Sequence, residues 1–172
     1  GDTPNVGDFA CNGLTTPDRR VTAKLLETKK VYQYIKFKPV DIKKGKIEIE
    51  IRYDFRDLNQ FDITWEILKD GEKVEAGEMA SLDLLPNQKK VVTIPFKQKL
   101  SEQNEYFLNI HFSLKKSTPW AEAGYTIASE QFALTEKIKP QDIAISTLPD
   151  IIYEAHGNNI PVIGENFKVI MS

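Results

Sequence analysis

The acidic side chains are the residues of this chain most able to do chemistry. There are 25 Asp and Glu residues among 172. Hydrolysis by a carboxyl pair needs two such groups about 5 Å apart, or about 6.5 to 9.5 Å apart, in a cleft that raises the pKa of one of them. No spacing marks such a pair, because the acids in alternating segments fall on the polar face and the others fall in turns. The pattern favours solvated acids over a catalytic dyad.

Nucleophile and metal chemistry is equally unmarked. His111 falls on the polar face of a predicted strand and His156 in a turn before Gly157, and no nucleophile elbow accompanies them. Two histidines and one cysteine, Cys11, are too few for a zinc cluster, and Cys11 has no basic neighbour to activate its thiol. No glycine pattern for phosphate or dinucleotide binding is present.

The segment STPWAEAGYTIASEQF at 117–132 is the most unusual part of the sequence. Trp120 and Tyr125 could form an exposed platform on which a sugar ring stacks, with Glu122 accepting hydroxyl protons. Alternatively, Trp120 fills a seam between domains, where neighbouring small residues such as Gly124 permit close backbone approach. We favour the seam, in which Trp120, Glu122 and Tyr125 would lie, and both interpretations remain open at this point.

Alternation of apolar and polar residues predicts the strands that must position these side chains. It is clearest at 46–55, 62–68 and 105–114, and weaker at 34–40, 73–78, 91–96 and 125–134. In the first segment the inward face is predicted to carry Ile47, Ile49, Ile51, Tyr53 and Phe55. The Asp70-Gly71 pair predicts a two-residue hairpin between the third and fourth strands. Thr22 is a candidate N-cap for a short helix within 21–32.

Seven strands, each with one polar and one apolar face, need two sheets packed face to face. The predicted fold class is therefore all-β, an immunoglobulin-like antiparallel β-sandwich of about seven strands covering 21–135. Trp65 is predicted to be its large core aromatic residue.

The two ends of the chain lack the regular strand alternation of the middle. Residues 1–20 contain three Gly, two Pro, three Asp and two Asn without periodicity, which predicts a loop belonging to another domain. Residues 136–172 read as a linker followed by strand, turn and strand, with Phe167, Val169 and Met171 alternating. So short a segment cannot bury a sheet of its own, so it either adds strands to the edge of the sandwich or begins a further domain, and we favour the second.

Charge and hydropathy exclude some partners. The formal charge is −2, from 23 basic and 25 acidic residues, so the basic excess of a nucleic-acid-binding protein is missing. No apolar run approaches the roughly 20 residues that span a bilayer, and no signal sequence begins the chain. We therefore predict no nucleic-acid or membrane partner. The compartment, cytoplasmic or periplasmic, stays undetermined.

Several short motifs, in order and spacing, resemble one enzyme family. They are GDTPN at 1–5, FACNGL at 9–14, Asp18-Arg19-Arg20, KVYQYI at 30–35, and TPWAEAG at 118–124 followed by Glu130-Gln131-Phe132. Together they resemble the large β-galactosidases of glycoside hydrolase family two, nearly from end to end. The strands in the middle match only in pattern.

The resemblance implies a division into three parts. These are the last loop of a catalytic barrel at 1–20, the following immunoglobulin-like domain at 21–135, and a linker with the first strands of a C-terminal β-sandwich at 136–172. It implies a parent enzyme, expected to be a homo-oligomer, that hydrolyses terminal β-galactosides with retention by two barrel glutamates. Neither glutamate lies in this chain, so we expect no catalytic residue and no cofactor here.

The same resemblance implies roles for two residues within the parent enzyme only. The backbone carbonyl of Phe9 and the side-chain amide of Asn12 match groups that ligate a sodium ion in contact with the galactoside substrate. An aspartate from the barrel completes that ion site, and magnesium binds elsewhere in the parent.

Three functions are open from sequence. The favoured one is a noncatalytic domain that links and positions the barrel and the C-terminal domain of a β-galactosidase, with those neighbouring domains as its partners. The second is an autonomous carbohydrate-binding module using Trp120 and Tyr125. The third is an immunoglobulin-like interaction domain that binds a partner by strand addition.

Overall fold

The structure is a computed structural model that describes residues 4, 13–136, 144, 146, 148–153 and 159–171. It divides into two compact units, Gly1–Ile138 and Lys139–Ser172. Among the described residues, no helix is long and apolar enough to cross a membrane.

The described part of the first unit contains one α-helix, two short 3-10 helices (Ile42–Lys44 and Leu58–Gln60) and seven strands. The helix α1 spans Ala23–Tyr32, and the strands are β1 (Ile35–Asp41), β2 (Lys46–Ile51), β3 (Phe61–Lys69), β4 (Glu72–Met79), β5 (Lys89–Thr93), β6 (Tyr106–Leu114) and β7 (Thr126–Ala133). They form two sheets, in the orders β1-β2-β5 and β4-β3-β6-β7, and every pairing is antiparallel. The predicted immunoglobulin-like sandwich of about seven strands is confirmed.

The core lies between the two sheets. Inward and outward residues alternate without interruption in β2, β3 and β6, because every second side chain faces the dry layer. Phe37 of one sheet meets Phe112 of the other, with ring centroids 5.6 Å apart. Trp65 is only 5% exposed, which confirms it as a core aromatic residue. Burial of each such side chain contributes roughly 1.5 to 3 kcal/mol, so these rows hold the sheets together.

Two predicted strands end earlier in the structure than in the sequence pattern. β2 ends at Ile51, so the prediction that Phe55 faces inward is wrong, and its side chain is 97% exposed. The alternation continues past the point where the backbone leaves the sheet. β5 ends at Thr93, because the strand with which it pairs, β2, begins at Lys46 directly opposite Thr93.

The local turn and cap predictions are confirmed. Asp70 and Gly71 have φ of 50° and 88°, the positive values that a two-residue turn between β3 and β4 requires. Thr22 caps α1, and its hydroxyl accepts a hydrogen bond from the Leu25 N–H at 3.4 Å.

The strand register gives the sandwich two distinct ends. At one end, which we call the Tyr34 end, β1, β3 and β7 begin and β2 and β6 finish. The two sheets meet there through Tyr53 and Phe61, whose rings stack at 6.1 Å. At the opposite end, the Asp70 end, β3 and β7 finish, and the Leu134 N–H bonds to the Tyr106 carbonyl. The nine residues of β3 span about 27 Å between the ends.

The second unit carries a small antiparallel sheet of three strands in its described part. These are β8 (Ile152–Tyr153), β9 (Ile160–Ile163) and β10 (Lys168–Met171), in the order β10-β9-β8. None of its described residues is buried. The strand, turn and strand predicted here are present as β9 and β10, but the described part of this sheet has no core of its own.

Candidate functional site

Aromatic side chains gather at the Tyr34 end of the sandwich. They come from the last residue of α1 and from three connections, namely α1 to β1, β2 to β3, and β6 to β7. We call this surface the aromatic face, and it consists of Tyr32, Tyr34, Tyr53, Phe55, Trp120 and Tyr125. Such aromatic side chains place large apolar area at a surface with little loss of conformational entropy, as binding surfaces require.

Tyr34 and Tyr53 form the floor of the aromatic face. Their rings stack with centroids 5.0 Å apart and an interplanar angle of 14°. Burial raises the pKa of the Tyr53 phenol above its ordinary value of 10.0, the Arg56 guanidinium partly offsets this, and Tyr34 adds to it. The pair is held in place because Tyr34 precedes β1 and its carbonyl accepts a hydrogen bond from the Arg52 N–H.

Trp120 and Tyr125 form the wall of the face. Their rings meet edge to face, 5.8 Å apart at 85°. The Lys29 ammonium from α1 lies 4.1 Å from the centre of the Tyr125 ring, a cation–π contact that covers one side of that ring. The floor and the wall line an open groove of about 290 Å³, and Arg56 is also part of its lining.

The loop that carries Trp120 is fixed by its own hydrogen bonds. The Ser117 hydroxyl donates to a Glu122 carboxylate oxygen at 2.6 Å and accepts from the Ala123 N–H at 3.1 Å. Gly124 supplies a φ of 85°, and its N–H bonds to the Leu114 carbonyl at the end of β6. One Glu122 oxygen is therefore occupied in shaping the loop.

The family comparison fits this sandwich. The family described as β-galactosidase domain 4 matches residues 47–135, which is half of the chain and runs from the second residue of β2 to beyond β7. The chain belongs to this family.

Similar proteins agree with the β-galactosidase family. A β-galactosidase of Priestia megaterium is 35% identical over 172 residues, covering 99% of this chain and 16% of that protein. β-Galactosidase 2 of Enterobacter cloacae is 31% identical over 134 residues, and a β-galactosidase of Psychromonas ingrahamii is 34% identical over 137 residues. Each of these two matches covers 78% of this chain and 13% of the relative. The chain thus spans about a sixth or less of the length of the β-galactosidases it matches.

The structure places the sequence-predicted residues in different surroundings. Trp120, Glu122 and Tyr125 come together in one loop at the Tyr34 end. His111 lies opposite Thr64 and Ser129 on the outer face of the four-stranded sheet. Within the described ranges, no three His, Cys, Asp or Glu side chains are grouped as a metal would require. The candidate residues Phe9, Cys11, Asn12 and His156 lie outside the described residues.

Sequence reasoning missed four of the six residues of the aromatic face. Tyr32, Tyr34, Tyr53 and Phe55 were not singled out as site residues, and neither were the cations Lys29 and Arg56. The available signal was a cluster of aromatic residues at 32–34 (YQY) and a cluster of aromatic and basic residues at 52–56 (RYDFR). Each cluster lies at one end of an alternating segment. Both clusters adjoin a strand terminus, where side chains leave the core and reach the surface.

Proposed function

We propose that this chain is a noncatalytic domain of a β-galactosidase that holds a catalytic barrel and a C-terminal β-sandwich domain at a fixed separation. The observation that carries this proposal is the polarity of the sandwich. β1 begins at the Tyr34 end, whereas β7 finishes at the Asp70 end, about 27 Å away. A domain entered at one end and left at the other acts as a spacer between its neighbours.

Two carboxylates of the sandwich, Glu66 and Glu75, support a structural role. Glu66 accepts a hydrogen bond from the Asn109 amide at 3.0 Å on the outer sheet face. Glu75 accepts bonds from the N–H groups of Lys97 and Gln98 and so holds the loop after β5. These groups are committed to neighbouring backbone and side chains, and a hydrolytic pair would instead face a shared cleft.

In this proposal the parent enzyme hydrolyses terminal β-galactosides with retention and forms a homo-oligomer. Its glutamates lie on the barrel, outside this chain. Phe9 and Asn12 contribute a carbonyl and an amide oxygen to a sodium site at the substrate, because a hard monovalent cation prefers neutral oxygen ligands. Asn12→Ala in the parent should raise the sodium concentration needed for half-maximal activity, and an unchanged sodium dependence would remove Asn12 from the site.

A domain graft tests the spacer function. Replacing the aligned segment of the Priestia megaterium β-galactosidase with these 172 residues should preserve hydrolysis of a nitrophenyl galactoside, since the grafted domain carries no catalytic group. The chain by itself should show no turnover above the blank, with the unaltered Priestia megaterium enzyme as the positive control. Turnover by the chain alone, or a folded graft without activity, would contradict the proposal.

Carbohydrate binding is the second candidate, favoured by the 58% exposure of Trp120 at a groove. Titration of the chain with galactose and lactose, followed by tryptophan fluorescence, tests it. A saturable change that Trp120→Ala abolishes would support a binding module. Against this candidate, Lys29 already covers one side of the Tyr125 ring on which a sugar would stack.

Strand addition is less well supported than either. The outward backbone groups of β7 at Ser129 are already bonded, the N–H to the Gln33 side chain at 3.2 Å and the carbonyl to the Lys30 ammonium. An incoming strand would have to displace both side chains.

A further inference from the structure

We propose that the aromatic face is the docking surface for the domain that precedes this one in the longer polypeptide, and that the docked surface is apolar with an acidic rim. This inference rests on the proposed spacer function and adds a specific contact to it. Three observations carry it, namely the exposed apolar area, the unpaired cations and the path of the chain.

The exposed apolar area is as large as the largest patch that a typical monomer carries. Five of the six aromatic side chains, all except Tyr53, are between 44% and 97% exposed. The four of them that line one groove, Tyr32, Tyr34, Trp120 and Tyr125, present on the order of 450 Å², at roughly 200 Å² for each fully exposed aromatic side chain. The largest contiguous apolar patch on a monomer covers about 300 to 600 Å² and is often functional, and one side of a standard interface buries about 800 Å². The face can therefore form the apolar centre of an interface.

Two cations at the face are left without an acidic partner among the described residues. Arg56 is flanked by Asp54 and Asp57, but Asp54 accepts a hydrogen bond from the Asn87 amide and Asp57 from the Asn59 N–H. Lys29 lies over the Tyr125 ring and forms none of the ion pairs found in the described chain. A partner that desolvates these cations must supply carboxylates, since burying an unpaired charge is costly.

The path of the chain identifies the partner as the preceding domain. Lys29 and Tyr32 of α1 are part of the groove lining, and Tyr34 leads directly into β1. Polypeptide arriving from the N-terminal side therefore reaches the sandwich at this face, whereas the last strand finishes at the other end. The relatives are about six times longer than this chain, so most of the polypeptide that could cover the face lies outside it.

Two other occupants fit less well. A second copy docking by a two-fold axis would bring like charges together, because each copy presents the same Lys29 and Arg56. A sugar would fill only the groove, and Phe55, which is not part of the groove lining, would remain almost wholly exposed.

Hydrogen–deuterium exchange of the Priestia megaterium graft, compared with the 172-residue chain alone, tests the docking. Peptides covering 53–57 and 118–125 should exchange at least tenfold more slowly in the graft. The peptide covering the Asp70-Gly71 hairpin, at the other end, should exchange equally in both. Equal exchange of the face in both proteins would overturn the inference. An active graft with an unprotected face would leave the spacer function standing and remove only this contact.

Single substitutions in the graft give an independent readout. Phe55→Ser should reduce the protection of 118–125 at least fivefold, and the almost complete exposure of Phe55 means that the sandwich itself should stay folded. Val40→Ser, which removes an exposed side chain at the far end of β1, is the matched control and should change nothing. Equal effects of the two substitutions would count against docking at the face.

Charge reversal tests the acidic rim separately. Arg56→Glu should reduce the protection of 53–57 by a similar factor, while Lys43→Glu in the turn after β1 should not. If Arg56→Glu leaves protection intact, the rim is not acidic. Analytical sedimentation of the 172-residue chain tests whether a second copy binds the aromatic face instead. A dimer that Phe55→Ser dissociates would assign the face to that second copy and overturn the inference.

Discussion

Position 45 accepts only glycine for two separate reasons. Its φ is 69°, a left-handed conformation that costs other residues roughly 1 to 2 kcal/mol. A Cβ at this position would also lie 2.5 Å from the Ile94 carbonyl oxygen, which is part of the backbone and cannot easily move. The turn after β1 is thus closed against the strand end of β5.

We expect Gly45→Ala to lower the free energy of unfolding by roughly 2 to 4 kcal/mol, since it adds a steric clash to the conformational cost. Gly71→Ala is the matched control, because Gly71 has a φ of 88° but open space around its Cβ position. Its cost should be limited to about 1 kcal/mol. Urea denaturation of both variants measures the difference, and equal losses would show that the Ile94 contact is relaxed at little cost.

Tyr53 makes the stability of the sandwich depend on pH in the alkaline range. Burial raises its pKa above 10.0 in the folded state, so the neutral phenol is favoured by folding. Its contribution is fully present below the unfolded pKa and is lost as the pH rises through the folded pKa. Stability should therefore fall as the pH rises above 10.

Tyr53→Phe should remove part of that alkaline loss, because phenylalanine has no proton to release. Denaturation at pH 9 and pH 11 measures the loss in wild type and variant, and taking their difference removes the titration of the lysines. Tyr32→Phe, at an exposed ring, should leave the loss unchanged. An identical alkaline loss in wild type and Tyr53→Phe would contradict the assignment.

At the scale of elements, α1 protects the edge of the four-stranded sheet. Gln33 is 8% exposed, and its side-chain oxygen accepts a hydrogen bond from the Ser129 N–H in β7. Lys30 donates to the Ser129 carbonyl and pairs with Glu130 at 3.0 Å. Side chains of the helix thus occupy the place that another strand would take, which guards the edge against unwanted pairing.

Gln33→Ala should cost about 1 to 2 kcal/mol of unfolding free energy, because the Ser129 N–H loses its partner in a partly buried position. The amide of Ser129 should also exchange faster. Glu27→Ala, on an exposed position of the same helix, should cost less than about 0.5 kcal/mol. If the two variants unfold alike, the helix does not depend on this contact for its position.

The sequence predicts what local periodicity controls. β2, β3 and β6 follow from alternation, the hairpin from Asp70-Gly71, and the helix start from Thr22, because each signal lies within a few residues of its consequence. The docking of α1 could not be predicted, since Gln33 and Ser129 are 96 positions apart. Its helical pattern has no marked apolar face that would indicate a partner.

The candidate site was predictable only where it is local. Trp120, Glu122 and Tyr125 lie within six residues, and their grouping is visible in the sequence. Tyr34 and Phe55 join them only because the register brings three connections to one end of the sandwich. Alternation also assigned Phe55 to the core, because periodicity alone does not reveal where a strand leaves its sheet.

At the scale of the molecule, stability is concentrated in the first unit. The buried hydrophobic cluster runs from Ile35 to Leu134 and joins both sheets of the sandwich. In the second unit, the described strands carry apolar side chains that remain at least partly exposed, such as Tyr153 and Val169. Hydrophobic stabilisation scales with the area removed from water, so the two units should contribute very unequally.

A chain ending at Ile138 should therefore unfold at nearly the same temperature as the full 172 residues. Calorimetry of both chains should give one main transition with midpoints within about 2 °C, since a difference of about 1 kcal/mol already shifts the midpoint of such a domain by about 4 °C. A chain ending at Ala128 is the control, because it removes most of β7 together with Leu134 of the core and should fail to show this transition. A large fall in the midpoint temperature on removing 139–172 would mean that the core of the first unit is not enough to keep the sandwich folded. The sandwich would then need the second unit in order to act as a spacer.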